Sequence, residues 1–274
     1  MSSDDRHQLS PLQPGAHHAE PGRVRVLTWN VQHASPARTR RQAEWLAAQD
    51  ADVLVLTEVA PGGHALTQAL DDHGFIVHPA DGAGDYLTLV ASRIGKQQPV
   101  PEIRPSHLPH RCVAVRLHLD EGPSVGVVGL YVPSRGPQER RNVDKRAFQD
   151  AVAKLLPTLA DDLAVTGPVV ITGDLNVVDP GHRPHHAVFG RWEYDFYTAF
   201  TDAGYGDAFR HLHPDTVDHS WYGRRSGAGY RFDHTFCSPI GAVTTCFYLH
   251  QPRTTGLSDH AAMTATIAVP ASTL

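Results

Sequence analysis

Short runs of apolar, largely β-branched residues recur along the chain, and each is closed by a polar or turn-forming residue. Val24–Trp29 (VRVLTW), Val53–Thr57 (VLVLT), Val125–Tyr131 (VGVVGLY) and Val169–Thr172 (VVIT) are of this kind. Runs of that length and composition predict buried strands. Weaker patterns predict further strands near Phe75–His78, Tyr86–Ser92, Arg111–Leu119, Tyr230–Cys237, Ala242–Leu249 and Ala262–Val269. Between them the period changes. Ser35-Pro36 offers an N-cap followed by proline at the first helical position, which predicts a helix to about Gln49. A short helix is predicted near His64–Asp72. Val143, Ala147, Phe148, Ala151, Val152, Leu155 and Leu156 fall on one face at helical spacing, up to Pro157, and a last helix is predicted near Glu193–Ala203. This order of elements suits an α/β domain in which two sheets pack together with helices outside.

Composition sharpens this picture at a few points. The chain has 274 residues, enough to bury a large core, and its 41% hydrophobic and 19% charged residues are those of a globular domain. Residues 1–22 are polar and rich in His, Pro and Ser, with no apolar stretch of signal-peptide type, and are expected to form a disordered tail ahead of a single domain over 23–274. No run approaches the length of a membrane helix. The three cysteines, Cys112, Cys237 and Cys246, are odd in number and form no C-x-x-C, which predicts a reduced, cytoplasmic protein. A net charge of −5 excludes a protein that coats nucleic acid non-specifically, but allows a local basic rim and a carboxylate-held cation.

The candidate chemistry lies where apolar strands run into lone polar residues. Asn30, Glu58, Tyr131, Asp174 and Asn176 all sit at or just past such ends, where an α/β core presents side chains to a shared pocket. Singly, each is a turn residue; together they are mostly acids and amides. Their oxygens suit Mg²⁺, with Mn²⁺ as the second choice. In Gly173-Asp174-Leu175-Asn176, continued strand geometry would turn Asp174 and Asn176 to one side. Asp233-His234, read as the end of YRFD, and Ser258-Asp259-His260 each set a His beside a carboxylate, an arrangement that favours the charged imidazole.

Taken in order, LTWN (27–30), LTEV (56–59), LYVPS (130–134), TGDLN (172–176), DAFRHLHP (207–214) with Ser220-Trp221, YRFDH (230–234) and LSDH (257–260) resemble the endonuclease/exonuclease/phosphatase superfamily. The likeness is greatest to its exonuclease III and AP-endonuclease branch. It implies a four-layer α/β/β/α sandwich and a monomeric, Mg²⁺-dependent hydrolase of phosphodiesters, in DNA or, as the alternative, in a small phosphorylated molecule or nucleotide. It further implies that Asn30 and Glu58 hold the metal with Asp259 nearby. Tyr131 would contact the scissile phosphate, and Asp174 would orient or deprotonate water. Asn176 would position the phosphate or the nucleophile, and His260, oriented by Asp233, would stabilise the phosphoryl oxygens.

Three departures from that pattern stand out. Gln32 replaces an acid, Ser134 replaces an Asn, and residues 222–229 form a shorter loop without the Phe and Asn that help to form an abasic-sugar pocket. Arg224 and Arg225 in that loop are expected to overhang the site and, with Trp221, to contact substrate. Arg135, Arg140 and Arg141 are candidates for a basic rim, and Trp221, Tyr222 and Tyr230 for base stacking. The segment holding His182, Arg183, His185 and His186 reads as a solvated loop.

Overall fold

The computed structural model of the chain describes residues 20–269 apart from 62, 63, 83, 121 and 136–138, and leaves aside the side chains of 139–141. The expected tail therefore lies almost wholly outside the described residues, as do the side chains of Arg140 and Arg141. The first half runs β1 (Arg23–Asn30), α1 (Pro36–Ala47), β2 (Val53–Val59), α2 (His64–Asp71), β3 (Ile76–Pro79), β4 (Leu87–Ser92), β5 (Lys96–Pro99), β6 (Cys112–His118) and β7 (Val125–Tyr131). The second half runs α3 (Glu139–Leu155), α4 (Leu159–Leu163), β8 (Val169–Asp174), α5 (Arg191–Asp202), β9 (Gly206–Asp207), α6 (Ala208–Leu212), β10 (Trp221–Tyr222), β11 (Gly229–Tyr230), β12 (Asp233–Ser238), β13 (Val243–Leu249), α7 (Gln251–Thr254) and β14 (Ala262–Ala268). No described helix is long and apolar enough to cross a membrane.

Two six-stranded sheets carry the fold, ordered β13-β14-β1-β2-β4-β3 and β5-β6-β7-β8-β12-β9. Each is mixed: β1 and β2 are parallel, as are β7 and β8, and the remaining pairings are antiparallel. Strand alternation sorts the side chains into layers. Val24 and Val26 face a core between the sheets that also holds Val53, Val55, Val127, Val170, Met263 and Ile267. Leu27 and Trp29, one residue out of phase, pack with Leu46 of α1 and Leu70 of α2 on the outer side. On the other sheet, Val128, Leu130 and Ile171 meet Phe148, Val152, Phe196 and Phe200 of α3 and α5. The result is the expected α/β/β/α sandwich, in which both sheets are covered on both faces.

The structure differs from the expected elements where tertiary contacts override local pattern. β5, β9, α4, α6 and α7 are short and lack a hydrophobic period of their own. Val143, expected on the buried face of α3, is 61% exposed, whereas Lys145 is fully buried. The stretch expected as one strand over Tyr230–Cys237 is broken: Tyr230 belongs to the β10–β11 hairpin, and Asp233-His234 open β12 instead of ending a strand. Because β12 runs antiparallel to β8, Asp233 pairs directly with Asp174, so the start of one strand lies level with the end of the other.

Gly173 is indispensable to that pairing. Its φ is +148°, and a Cβ placed there would lie 1.9 Å from the Leu130 carbonyl oxygen of β7. Gly173→Ala is expected to part β7 from β8 beside Asp174, with a loss of about 2–3 kcal/mol from backbone strain and overpacking. Urea unfolding checks this, and a variant as stable as the parent would refute it.

Candidate active site

The parallel pairs β1–β2 and β7–β8 end on the same side of the sandwich, where β12 begins and where the segment leading into β14 carries Asp259 and His260. A cleft of about 800 Å³ opens there, walled by Glu58, Asp174, Asn176, Asp259 and His260 on the strand side and by Phe189, Trp221, Tyr230 and Phe232 on the other.

Asp174 lies at the centre and is almost fully buried. Its Oδ2 accepts from Asn30 Nδ2 at 2.8 Å and from Asn176 Nδ2 at 3.1 Å, while its Oδ1 accepts from the Asn176 backbone N–H at 2.9 Å. Asn176 does not extend the strand. Its φ is +49°, and it reaches Asp174 by folding back in an Asx turn, so the expected strand alternation is not what brings the two together. A further bond from Asn176 Nδ2 to the Val132 carbonyl, at 3.0 Å, fixes the amide. Burial and the neighbouring Asp233 carboxylate push the Asp174 carboxyl above the ordinary range; His260 and the Asn30 amide oppose them.

His260 lies between two carboxylates. Its Nδ1 is 2.8 Å from Asp233 Oδ2, and its Nε2 is 3.9 Å from Asp174 Oδ2. Burial works against its charge, but Asp233 and Asp174 prevail and hold it protonated well above its usual value. The Ser258 hydroxyl fixes the segment, donating to the Asn30 carbonyl at 2.6 Å and accepting from the His260 N–H at 3.1 Å.

Glu58 is presented by a bulge. The β2–β4 register slips between Leu56 and Val59, and Glu58 takes φ +54°. The strand thus continues past the end predicted at Thr57, and the bulge re-aims the carboxylate into the cleft. Tyr131, at the end of β7, donates to Glu58 Oε1 at 2.6 Å, and burial, reinforced by Glu58, keeps its phenol protonated. Asn30 is fully buried and stands behind the cleft wall; its Oδ1 accepts the Gln32 N–H at 2.9 Å.

The β10–β11 hairpin forms the facing wall. Trp221 lines the cleft and its Nε1 donates to Asp259 Oδ2 at 3.1 Å. Trp221 also bridges His260 through the backbone, and Ser220 Oγ accepts the N–H groups of Phe232 and Asp233 at 3.1 and 3.2 Å. Arg224 is exposed, with a 3.6 Å approach to Asp259. Arg225 is exposed as well, and neither arginine forms part of the cleft wall.

Several supporting residues have no signature in the chain's local pattern. Lys145 donates to the Asn176 carbonyl at 2.8 Å and to Glu193 Oε1 at 2.5 Å, and Arg135 donates to Glu193 Oε2 at 2.5 Å, so two cations share one buried carboxylate and Arg135 of the expected rim lines the cleft. The histidine-rich segment is not a solvated loop throughout. His182 is buried, its Nδ1 donates to the Pro184 carbonyl, and its Nε2 accepts the Arg231 N–H at 3.1 Å. Burial lowers its pKa to about 4, so it stays neutral as that acceptor. The chain's only hint was the density of His and Pro there.

Asp174, Asp233 and His260 bring ligand-type atoms within 4.8 Å of one another. A ring whose two nitrogens both face carboxylates is an imidazolium, and an imidazolium does not bind metal. This trio is therefore a charge array. Glu58 and Asp259, acids that line the cleft beside the array, offer the hard oxygen donors that could hold a divalent ion.

Comparisons with known proteins agree with this architecture. The model of the Endonuclease/Exonuclease/phosphatase family matches residues 27–260. The chain is 26% identical over 225 residues to an exodeoxyribonuclease of Bacillus subtilis (strain 168), covering 77% of this chain and 86% of that protein. It is 22% identical over 237 residues to a DNA-(apurinic or apyrimidinic site) endonuclease of Dictyostelium discoideum, covering 78% of this chain and 62% of the relative. Among solved structures, an AP endonuclease from Archaeoglobus fulgidus superposes with a TM-score of 0.72 at 20% identity, over 89% of this chain and 99% of the other. A 3′ phosphatase from Neisseria bound to product DNA hairpin gives 0.70 at 21% identity, over 88% and 98%. The chain belongs to the Endonuclease/Exonuclease/phosphatase family and is a hydrolase of phosphoester bonds.

Proposed function

We propose that this protein hydrolyses phosphodiester bonds in DNA with Mg²⁺, Mn²⁺ being its closest substitute. The observation that carries the reading is the Asp233–His260–Asp174 array, which faces a cleft also walled by Glu58 and Asp259. The relatives' descriptions share a DNA substrate.

Glu58 and Asp259 would hold the cation, with Asn30 behind them; when bound, it offsets the negative charge of the phosphate. The protein's own groups do the rest. Asp174, ionised and gripped by two amides, orients the attacking water and takes its proton. The His260 imidazolium, held by Asp233, faces the phosphoryl oxygens as their charge builds. The Tyr131 phenol and the Asn176 amide position the phosphate.

The assay is cleavage of labelled duplex DNA beside a panel of nucleotides and phosphomonoesters. DNA cleavage should stop on chelation and return with Mg²⁺, and its KM should rise steeply with salt, as expected for a polyanion. Turnover of a small phosphate without DNA cleavage would overturn the reading.

The array also predicts a pH profile. Asp174 must be ionised and its carboxyl is raised, so the acidic limb should lie above the ordinary carboxylate range. His260 must be protonated and is raised too, so activity should persist above the ordinary imidazole range before it declines. Asp233→Asn removes the charge that holds the imidazolium, and the alkaline limb should move to lower pH. An unmoved limb would assign it to another group.

A further inference from the structure

The segment between β8 and α5 supplies Val188 and Phe189 to the cleft, and histidines fasten it to the β10–β11 hairpin. His186 Nε2 donates to the Gly229 carbonyl at 2.9 Å, and its ring stacks on that of Tyr230, 4.0 Å between centres and 17° from parallel. In the other direction His219, just ahead of the hairpin, donates through Nε2 to the Arg183 carbonyl at 2.8 Å. The third fastening has the opposite sense. His182 Nε2 accepts the N–H of Arg231, the residue after the hairpin, at 3.1 Å, while its Nδ1 is taken by the Pro184 carbonyl at 2.9 Å.

That difference decides what a proton does. A ring nitrogen that donates goes on donating in the imidazolium, so the bonds of His186 and His219 survive protonation. An imidazolium has no acceptor, so protonated His182 would set one N–H against another and lose Arg231. Its surroundings do little for a charge. His182 is buried, and the rings of His186 and His219 each lie 5.2 Å away and that of Tyr230 6.5 Å, centre to centre. Asp179, on the same segment, favours the charge but is engaged by the guanidinium groups of Arg231 and Arg210. The start of the segment has its own anchor, since His234 Nε2 donates to the Val177 carbonyl at 2.8 Å.

We propose that His182, His186 and His219 form an acid-sensitive clip, and that protonation of His182 detaches residues 180–190 from the hairpin and opens the aromatic wall while the catalytic strands stay paired. The proposal is independent of which phosphoester the enzyme cleaves. The clip contributes fully above the ordinary imidazole value of 6.5, which His182 regains in the open segment. It weakens as pH falls from there to about 4, the value that burial imposes in the closed one. Over that window opening becomes about tenfold easier for each unit of pH.

Hydrogen exchange of the Arg231 amide reads this opening, once the rates are converted to protection factors to remove the intrinsic pH dependence of exchange. Protection should fall about tenfold per pH unit across the window, while amides of the β8–β12 ladder keep theirs. His182→Gln can offer an amide oxygen near the place of Nε2 and does not titrate, so the slope at Arg231 should vanish. A slope that survives this substitution would overturn the clip. So would a His182 ring that titrates in the ordinary imidazole range in the NMR spectrum of the wild-type protein, a result that does not depend on how well the variant folds.

Discussion

Replacing Asp174 with Asn is expected to lower kcat about 10³-fold or more while moving KM by less than about threefold. The replacement is isosteric, and the site is built for a carboxylate. Three N–H groups, from Asn30 and from the backbone and side chain of Asn176, converge on its two oxygens. An amide in its place sets an NH₂ against donors on one side and cannot take a proton from water. Stability should hold or rise, since burial already disfavours the charge that the substitution removes. Single-turnover cleavage beside a thermal melt separates the two effects. A folded variant within about tenfold of the parent kcat would remove Asp174 from the role of base and leave His260 and the cation to carry the reaction.

Arg231→Ala should be the most damaging substitution outside the cleft, at about 3–5 kcal/mol, or a fall in Tm of about 6–20 °C. Arg231 is fully buried and donates to Asp207 Oδ2 at 2.8 Å and to Asp179 Oδ2 at 3.0 Å. Asp207 also accepts from Tyr197 OH at 2.8 Å and caps α6 through the Arg210 N–H at 2.9 Å. Removing the cation leaves Asp179 to Arg210, and Asp207 to Tyr197 and His234, without the guanidinium that joins the two acids, so adding Asp179→Asn and Asp207→Asn to Arg231→Ala should recover part of the loss. Burial works against the Asp207 charge, yet Arg231 and His234 hold its carboxyl far below the ordinary range. Its contribution is therefore complete above the unfolded carboxylate pKa and is lost as pH falls through the folded value. Without Arg231 that value rises, and stability should fail at a higher pH. Urea unfolding as a function of pH measures both parts; a variant within about 1 kcal/mol of the parent would show that the remaining partners suffice.

These networks mark where the sequence was readable. The four long apolar runs became β1, β2, β7 and β8 because strands covered on both faces must be apolar throughout. The polar residue after each was visible for the same reason: it interrupts a run. Convergence was less visible. Glu58 looked like a residue past a strand end, whereas a bulge inside β2 turns it inward, and no local pattern announces a bulge. Asn176 reaches Asp174 through a left-handed turn, which sequence alternation cannot express. Lys145 was hidden because it occupies an apolar face of α3, and only its partners, Glu193 and the Asn176 carbonyl, explain its burial. The basic rim expected from arginine spacing was legible only in outline, since spacing does not reveal which arginines are already engaged: Arg135 lines the cleft but shares Glu193 with Lys145.

The β10–β11 hairpin has a consequence for how such an enzyme diversifies. Its base is locked: Trp221 pairs with Tyr230, Ser220 secures the approach to Asp233, and the Gly223 N–H closes the tip on the Ala228 carbonyl at 2.8 Å. Residues 223–228 lie beyond that lock, mostly exposed, and exposed loop tips are where insertions are best tolerated. The hairpin therefore works as a socket with an interchangeable tip. Longer tips can be fitted there to reshape the wall that meets the substrate, while His260 and Asp233 keep their registration below it.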